Sequence, residues 1–248
     1  MQSQVQARPP SMTDFHLNGV DLHVPPGLAT PGILEKLRDG TYEADEARAA
    51  DRCVRPGSRV LELGAGLGYV STVCAQKAGA ENVLSVEANP HLIPVIAANL
   101  GRNGQSGVTV MHGAVSGPAE EGATARFHIA QGFTGSSLDG RGGQLVDVPL
   151  LPIHDLIRAH RPHVILMDVE GAEADLFDRV WKCPLRFCVM ELHPKKYSPR
   201  VIKKIVDFMS AMDMTYDPVV SRNKILGFRK VWGVDQVGDP DTGDNDDD

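Results

Sequence analysis

Between Arg59 and Tyr69 the chain reads Arg-Val-Leu-Glu-Leu-Gly-Ala-Gly-Leu-Gly-Tyr, a short apolar run that empties into three alternating glycines. Val60, Leu61 and Leu63 suit a strand buried in a parallel sheet, while Gly64, Gly66 and Gly68 remove side chains where the backbone must bend and a ligand must come close. A helix is expected from about Leu67 to Ala78, its unpaired amides aimed at whatever fills the turn. Strand, glycine turn and helix in this order point to an α/β chain that holds a nucleoside cofactor.

Small differences decide which nucleoside. A dinucleotide fingerprint has its third glycine three residues after the second; here that position is Tyr69, and an acid, Glu62, stands two residues before the first glycine. A pyrophosphate disfavours a nearby carboxylate, whereas a methionine ammonium or sulfonium welcomes one. The pattern acid-x-Gly-x-Gly-x-Gly resembles the first motif of class I S-adenosylmethionine-dependent methyltransferases.

The rest of the chain alternates as an α/β fold does. Phe15 to Val24 alternates around Asn18-Gly19, the dipeptide of a tight hairpin, with His16 and His23 on its polar side and no metal expected there. Residues 31–54 read as two helices broken at Asp39-Gly40 and lying across the cofactor end of the sheet, with Glu43 at the break. A second strand ends at Glu87, 19 residues after Gly68, where a carboxylate can accept both ribose hydroxyls. Asn89-Pro90 starts the next helix, and a third strand, 108–111, leads into His112-Gly-Ala-Val115, where a backbone amide can read an adenine edge. Residues 124–129 and 144–148 read as paired strands around the glycine-rich loop 131–138, which at that length is a binding element. A short helix over 154–160 precedes a fourth strand, 161–168. That strand opens into Asp168-Val-Glu-Gly-Ala-Glu173, three carboxylates at a strand end where open α/β sheets bind ligands. Such crowding raises pKa values unless a cation is near, although Glu173 alone fits a helix start. A fifth strand, 187–192, brings His193 to the same edge as a candidate general base. A helix over 199–212 and an antiparallel strand pair, 213–220 with 225–232, complete the pattern.

The 248 residues suit one α/β domain: a flexible lead (1–13), a domain over 14–234 comprising a hairpin and helical cap (14–54) and a core (55–234), and an acidic tail (235–248). The net charge of −7 resides in that tail, which holds seven Asp and no Lys or Arg. The tail is expected to be disordered. A neutral body argues against nucleic acid as partner. No apolar run reaches the roughly 18 residues that span a bilayer, and the amino terminus lacks the apolar core of a secretion signal, so a cytoplasmic protein without membrane attachment is expected. The four cysteines, Cys53, Cys74, Cys183 and Cys188, have no metal or redox spacing and are expected as reduced, mostly buried thiols.

Taken together, Gly40-Thr-Tyr-Glu43, Leu61 to Val70, Val86-Glu-Ala-Asn-Pro90, Ser136-Ser-Leu138, Met167 to Glu173 and Met190-Glu-Leu-His193 resemble the FkbM family of methyltransferases. The resemblance runs in family order over roughly residues 40–232, and the Asp-Val-Glu-Gly-Ala-Glu run is its most specific part. It implies a Rossmann-like, mostly parallel sheet of seven strands in the order 3-2-1-4-5-7-6, strand 7 antiparallel, with helices on both faces. It also implies O-methylation of a hydroxyl or carboxyl on a small molecule or sugar. Two positions depart from the family pattern: Leu166 stands where a lysine is frequent, and Glu62 where aspartate is usual.

On this reading Glu62 with Gly64, Gly66 and Gly68 holds the methionine moiety of S-adenosylmethionine. Glu87 holds the ribose, Gly113 and Ala114 meet the adenine edge, Glu43 with Ser137 closes the site, and Ala88 and Asp168 are further cofactor-binding positions. His193 accepts the proton of a small-molecule acceptor, with Asp168 and Glu170 orienting the substrate or assisting as base. Asp168 and Glu170 suit magnesium, but the sequence shows no full ligand set and no metal is expected. Two other classes stay open: a nicotinamide-dependent oxidoreductase, and a non-catalytic cofactor-binding protein acting through a partner. The acceptor's identity and the oligomeric state are open too, a homo-oligomer among the possibilities.

Overall fold

The computed structural model describes residues 13–130, 136–138 and 143–232. The lead, most of the 131–138 loop and the acidic tail lie outside the described residues, and with them the expectations made for those segments. Two strands, β1 (Asp14–Leu17) and β2 (Val20–His23), form a hairpin. Its turn residues Asn18 and Gly19 take φ of 47° and 83°, the left-handed region that Asn and Gly tolerate best. Helix α1 (Pro31–Arg38) begins on Thr30, whose hydroxyl accepts from the Ile33 amide, and ends at Asp39; Gly40 (φ 67°) then turns the chain into α2 (Ala44–Cys53).

The core follows as β3 (Val60–Leu63), α3 (Tyr69–Ala78), β4 (Val83–Glu87), α4 (Ile93–Arg102), β5 (Thr109–His112), β6 (Ala114–Ser116), β7 (Thr124–Ile129), β8 (Gln144–Pro152), α5 (Ile153–His160) and β9 (Val164–Met167). A 3-10 turn (Ala172–Asp175) precedes β10 (Phe187–Glu191), α6 (Pro199–Ala211), β11 (Met214–Tyr216) and β12 (Ile225–Lys230). Seven strands make one sheet in the order β5-β4-β3-β9-β10-β12-β11, with β12 antiparallel to both of its neighbours. Numbered along the sheet's own strands this is 3-2-1-4-5-7-6 with the seventh reversed, the order that the family resemblance implies.

Side-chain alternation divides the sheet between two cores. Val60, Val164, Leu166 and Val189 face the hairpin and α1 to α4. Leu61, Leu63, Ile165, Met167, Cys188 and Met190 face α5 and α6. The sheet is therefore covered on both sides, as parallel strands require. All four cysteines are free thiols; Cys53, Cys74 and Cys188 are buried and Cys183 is half-buried. His16 and His23 each pair with an aspartate of the hairpin, Asp21 and Asp14, at 2.8 Å. Among the described residues, no helix is long and apolar enough to cross a membrane.

The structure shifts several boundaries. Helix α3 starts at Tyr69 rather than Leu67, because Gly68 sits at its N-cap with φ 79°. Arg161 (φ 51°) ends α5, so the fourth strand begins at Val164. The third strand is interrupted at Gly113, whose amide turns to the Glu87 carbonyl at 2.9 Å. Beyond the break β6 pairs in parallel with Leu150–Pro152, and this extends β8 four residues past Val148 and forms a separate three-stranded sheet with β7.

One buried side chain ties the hairpin to the glycine turn. Asn99 of α4 accepts from the His23 amide at 2.7 Å and donates to the carbonyls of His23 (3.2 Å) and Leu67 (2.9 Å), with no exposed surface of its own. Asn99→Ala leaves those backbone groups without their partner, and a loss of about 2–4 kcal/mol is expected, since each unsatisfied buried group costs about 1–3 kcal/mol. Urea unfolding should show a lower midpoint at an unchanged slope.

Candidate active site

The carboxyl ends of β3, β4, β9 and β10 meet under the cap formed by α1 and α2. Gly64 bridges two of them: its amide donates to the Val86 carbonyl of β4 at 2.9 Å, and a Cβ at this position would fall onto the Asp168 backbone carbonyl at the end of β9. Only glycine, at φ 90°, permits that approach. At Gly66 a Cβ would lie 2.9 Å from Glu43 Oε1 and 3.0 Å from the Tyr42 hydroxyl. The turn is thus pressed between the sheet and the cap.

A cleft of about 730 Å³, partly open to solvent, runs from this turn across the end of β4. Gly64, Gly66, Glu87, Ala88, Gly113 and Ala114 all line it. Glu87 is buried; its Oε2 accepts from the Gly66 amide at 3.0 Å and its Oε1 from the Asn89 amide at 2.7 Å. Burial nevertheless holds its pKa above the usual carboxylate value. The opposite wall comes from the β7–β8 sheet and its loop: Phe127, Ser136 and Leu138. Ser136, not Ser137, faces the cleft, because the main chain of Ser137 is taken by His128 (3.0 and 3.1 Å). Phe127 was missed in the sequence, where it is one apolar position of an alternating strand. Gly68 shapes the start of α3 against Ile96 and does not line the cleft.

A smaller pocket beside the first is lined by five carboxylates: Glu43, Glu46, Glu62, Asp168 and Glu191. Glu62 is only 2 % exposed. Its Oε2 accepts from the hydroxyls of Ser71 and Ser85, while its Oε1 has no hydrogen-bond partner. Burial pushes its pKa up to about 7 against those two hydrogen bonds. Glu43, held at φ 45° before α2, and Asp168 are both driven well above the carboxylate range, chiefly by burial. Lys224 meets Glu191 at 3.1 Å from the rim. Several desolvated acids around one small space, one with an empty acceptor position, fit a positively charged ligand.

On the other side of Asp168 a broad groove opens between the cap and the turn at 222–225, with Asp168, Glu170 and His193 on its wall. The imidazole is 11 % exposed: Nε2 lies 3.4 Å from Asp168 Oδ1 and 3.5 Å from Glu170 Oε2, and Nδ1 lies 3.4 Å from Glu173 Oε1. Burial pulls its pKa down, but the surrounding carboxylates outweigh this and hold it above 6.5. Donor atoms of Asp168, Glu170 and His193 approach closely enough to hold a metal ion, yet Lys196 Nζ already sits 2.8 Å from Glu170 Oε2. The arrangement is that of an ion-pair cluster.

These buried acids make the stability of the ligand-free protein depend on pH. Glu62 titrates near 7 when folded against an ordinary 4.5, so the stability it contributes is complete below 4.5 and is lost as pH rises towards 7. Roughly 3 kcal/mol is at stake from this group. Thermal unfolding between pH 5 and 8 should show the decline, and Glu62→Gln should flatten it.

The model of the methyltransferase FkbM domain matches residues 62–217. A protein-L-isoaspartate O-methyltransferase of Methanococcoides burtonii is 42% identical over 60 residues, 24% of this chain and 30% of that protein, so the match spans less than a third of that relative. Among solved structures, a precorrin-6y methyltransferase from Geobacter metallireducens is 14% identical, covering 77% of this chain and 88% of the other at a TM-score of 0.45. TYW2 of M. jannaschii in complex with AdoMet is 15% identical over 90% of each chain at a TM-score of 0.43. The nicotinamide alternative falls with the family match, which runs through well over half of the sequence, from the acid before the glycine turn past the carboxylate run and His193: the chain belongs to the FkbM family of S-adenosylmethionine-dependent methyltransferases.

Proposed function

We propose that the enzyme methylates a hydroxyl oxygen of a small molecule or sugar. One observation carries this reading: Glu43 and Asp168 border all three cavities, so the cleft suited to a nucleoside, the acidic pocket and the open groove meet at one point, with His193 beside it. A carboxyl acceptor, open on the sequence, would bring negative charge against Glu43, Glu46, Asp168 and Glu191. A hydroxyl carries none.

When bound, S-adenosylmethionine supplies an electrophilic methyl carbon whose bonding pair returns to sulfur as the carbon leaves. Glu62 and the glycine turn would hold its methionine end, Glu87 its ribose hydroxyls, and the Gly113–Ala114 backbone with Phe127 its base. Asp168 and Glu170 orient the acceptor in the groove. As its oxygen forms the new bond to carbon, the hydroxyl proton passes to His193, whose neutral form is required. The chain chiefly aligns the two partners and excludes water, which is how such displacements gain most of their rate.

Isothermal titration with S-adenosylhomocysteine separates donor from acceptor functions. Glu87→Ala should weaken binding by about 30-fold or more, since hydrogen bonds to a charged group contribute about 1.5–3 kcal/mol each. His193→Gln should leave that affinity within a few-fold yet slow turnover by about 10²–10⁴, the usual contribution of a general base. Labelled methyl groups supplied with a panel of sugars and hydroxylated small molecules should appear on oxygen. Incorporation only on nitrogen or carbon, or donor binding with no turnover on any acceptor, would overturn the reading, the latter in favour of a non-catalytic role.

A further inference from the structure

We propose that Glu173 is the positioning residue of His193: it keeps the imidazole protonated on Nδ1, so that Nε2 is the nitrogen turned to the acceptor groove. The consequence for catalysis rests on the O-methylation reading; the pairing itself does not.

Glu173 has no exposed surface. Its Oε1 accepts from the Val169 amide at 3.2 Å and its Oε2 from the Gly171 amide at 2.8 Å. Both amides belong to the turn after β9, in which Glu170 (φ 52°) and Gly171 (φ 109°) take left-handed conformations. Clamped by the turn it closes, the carboxylate cannot rotate away. It faces His193 Nδ1, a buried atom with no hydrogen-bond partner at present, across 3.4 Å. A carboxylate offers only lone pairs, so the nitrogen facing it must carry the hydrogen.

The groups on the other nitrogen are differently disposed. Glu170 Oε2 already receives Lys196 Nζ at 2.8 Å. Asp168 Oδ1, 3.4 Å from Nε2, has no hydrogen-bond partner and so no anchor of the kind that holds Glu173. Glu191, two residues before the histidine, is engaged by Lys224. The main chain is fixed as well, because the His193 amide donates to the Tyr197 hydroxyl at 2.8 Å. Glu173 thereby links the turn after β9 to the segment after β10, and the ring orientation follows from a carboxylate lying outside both the cofactor cleft and the groove. Orientation of a functional imidazole by a buried carboxylate on its other nitrogen is a recurring device.

The test needs no known acceptor. The full chain, labelled with ¹⁵N and ¹³C in histidine, is titrated by NMR, and the His193 signals are assigned by their loss in His193→Gln. Neutral His193 is expected in the Nδ1–H tautomer. Glu173→Gln should lower its titration midpoint by about one unit, as loss of an opposite charge within about 4–6 Å does, with S-adenosylhomocysteine affinity unchanged; Glu173→Asp should restore part of the shift. A neutral wild-type ring in the Nε2–H form overturns the proposal, as does an unmoved midpoint in folded Glu173→Gln. Should that variant fail to fold, the wild-type tautomer decides alone. Retained turnover in His193→Gln would remove the base from the proposed reaction and leave the Glu173–His193 pairing standing.

Discussion

An ionised carboxylate out of water must find a positive partner or give up its charge, and the centre of this molecule is built around several that have done neither fully. Glu62 sits in the middle of the sheet with hydroxyls on one oxygen and nothing on the other. Glu43 and Asp168 share its small pocket. Burial suppresses their ionisation; on the proposed reading a sulfonium ligand with an ammonium group restores it, so that affinity for the donor and relief of desolvation become one energetic term. The site is strained electrostatically rather than sterically.

The fold supplies this arrangement through main-chain contacts. Gly64 lets β3 and β9 converge until no side chain fits between them, and the parallel register of β3 with both β4 and β9 brings Glu87 and Asp168 level with the glycine turn. The cap adds Glu43 from above. Asn99 fastens the hairpin to the far end of the same turn. The candidate site therefore draws on residues distant in sequence that meet at one short stretch of backbone.

Much of this was legible beforehand because it is written in local patterns. The apolar run before Gly64, the acid at the end of β4 and the Asp168–Glu173 run each announce a strand end within a few residues. What was not legible depends on geometry between elements. Whether Ser136 or Ser137 faces the cleft turns on one bridge to His128; Phe127 and Glu46 become wall residues only once the β7–β8 sheet and the cap are folded over the strand ends. Glu173 looked like a helix-start acid because spacing cannot reveal a side chain that folds back to hold its own turn. The interruption at Gly113 escaped notice for a similar reason, since a single amide redirected to Glu87 is invisible without the neighbouring strand.

The cleft of the proposed donor combines main chain at Gly64, Gly66 and Gly113 with the side chains of Glu87 and Phe127. The wall facing the groove is made of side chains such as Glu46, Glu170, Lys224 and Arg222. Lys224 and Arg222 border the groove and neither of the other two cavities, so substitution there would recontour the groove alone. On the proposed reading, such rim positions let the protein take up new acceptors while the donor cleft is left as it is.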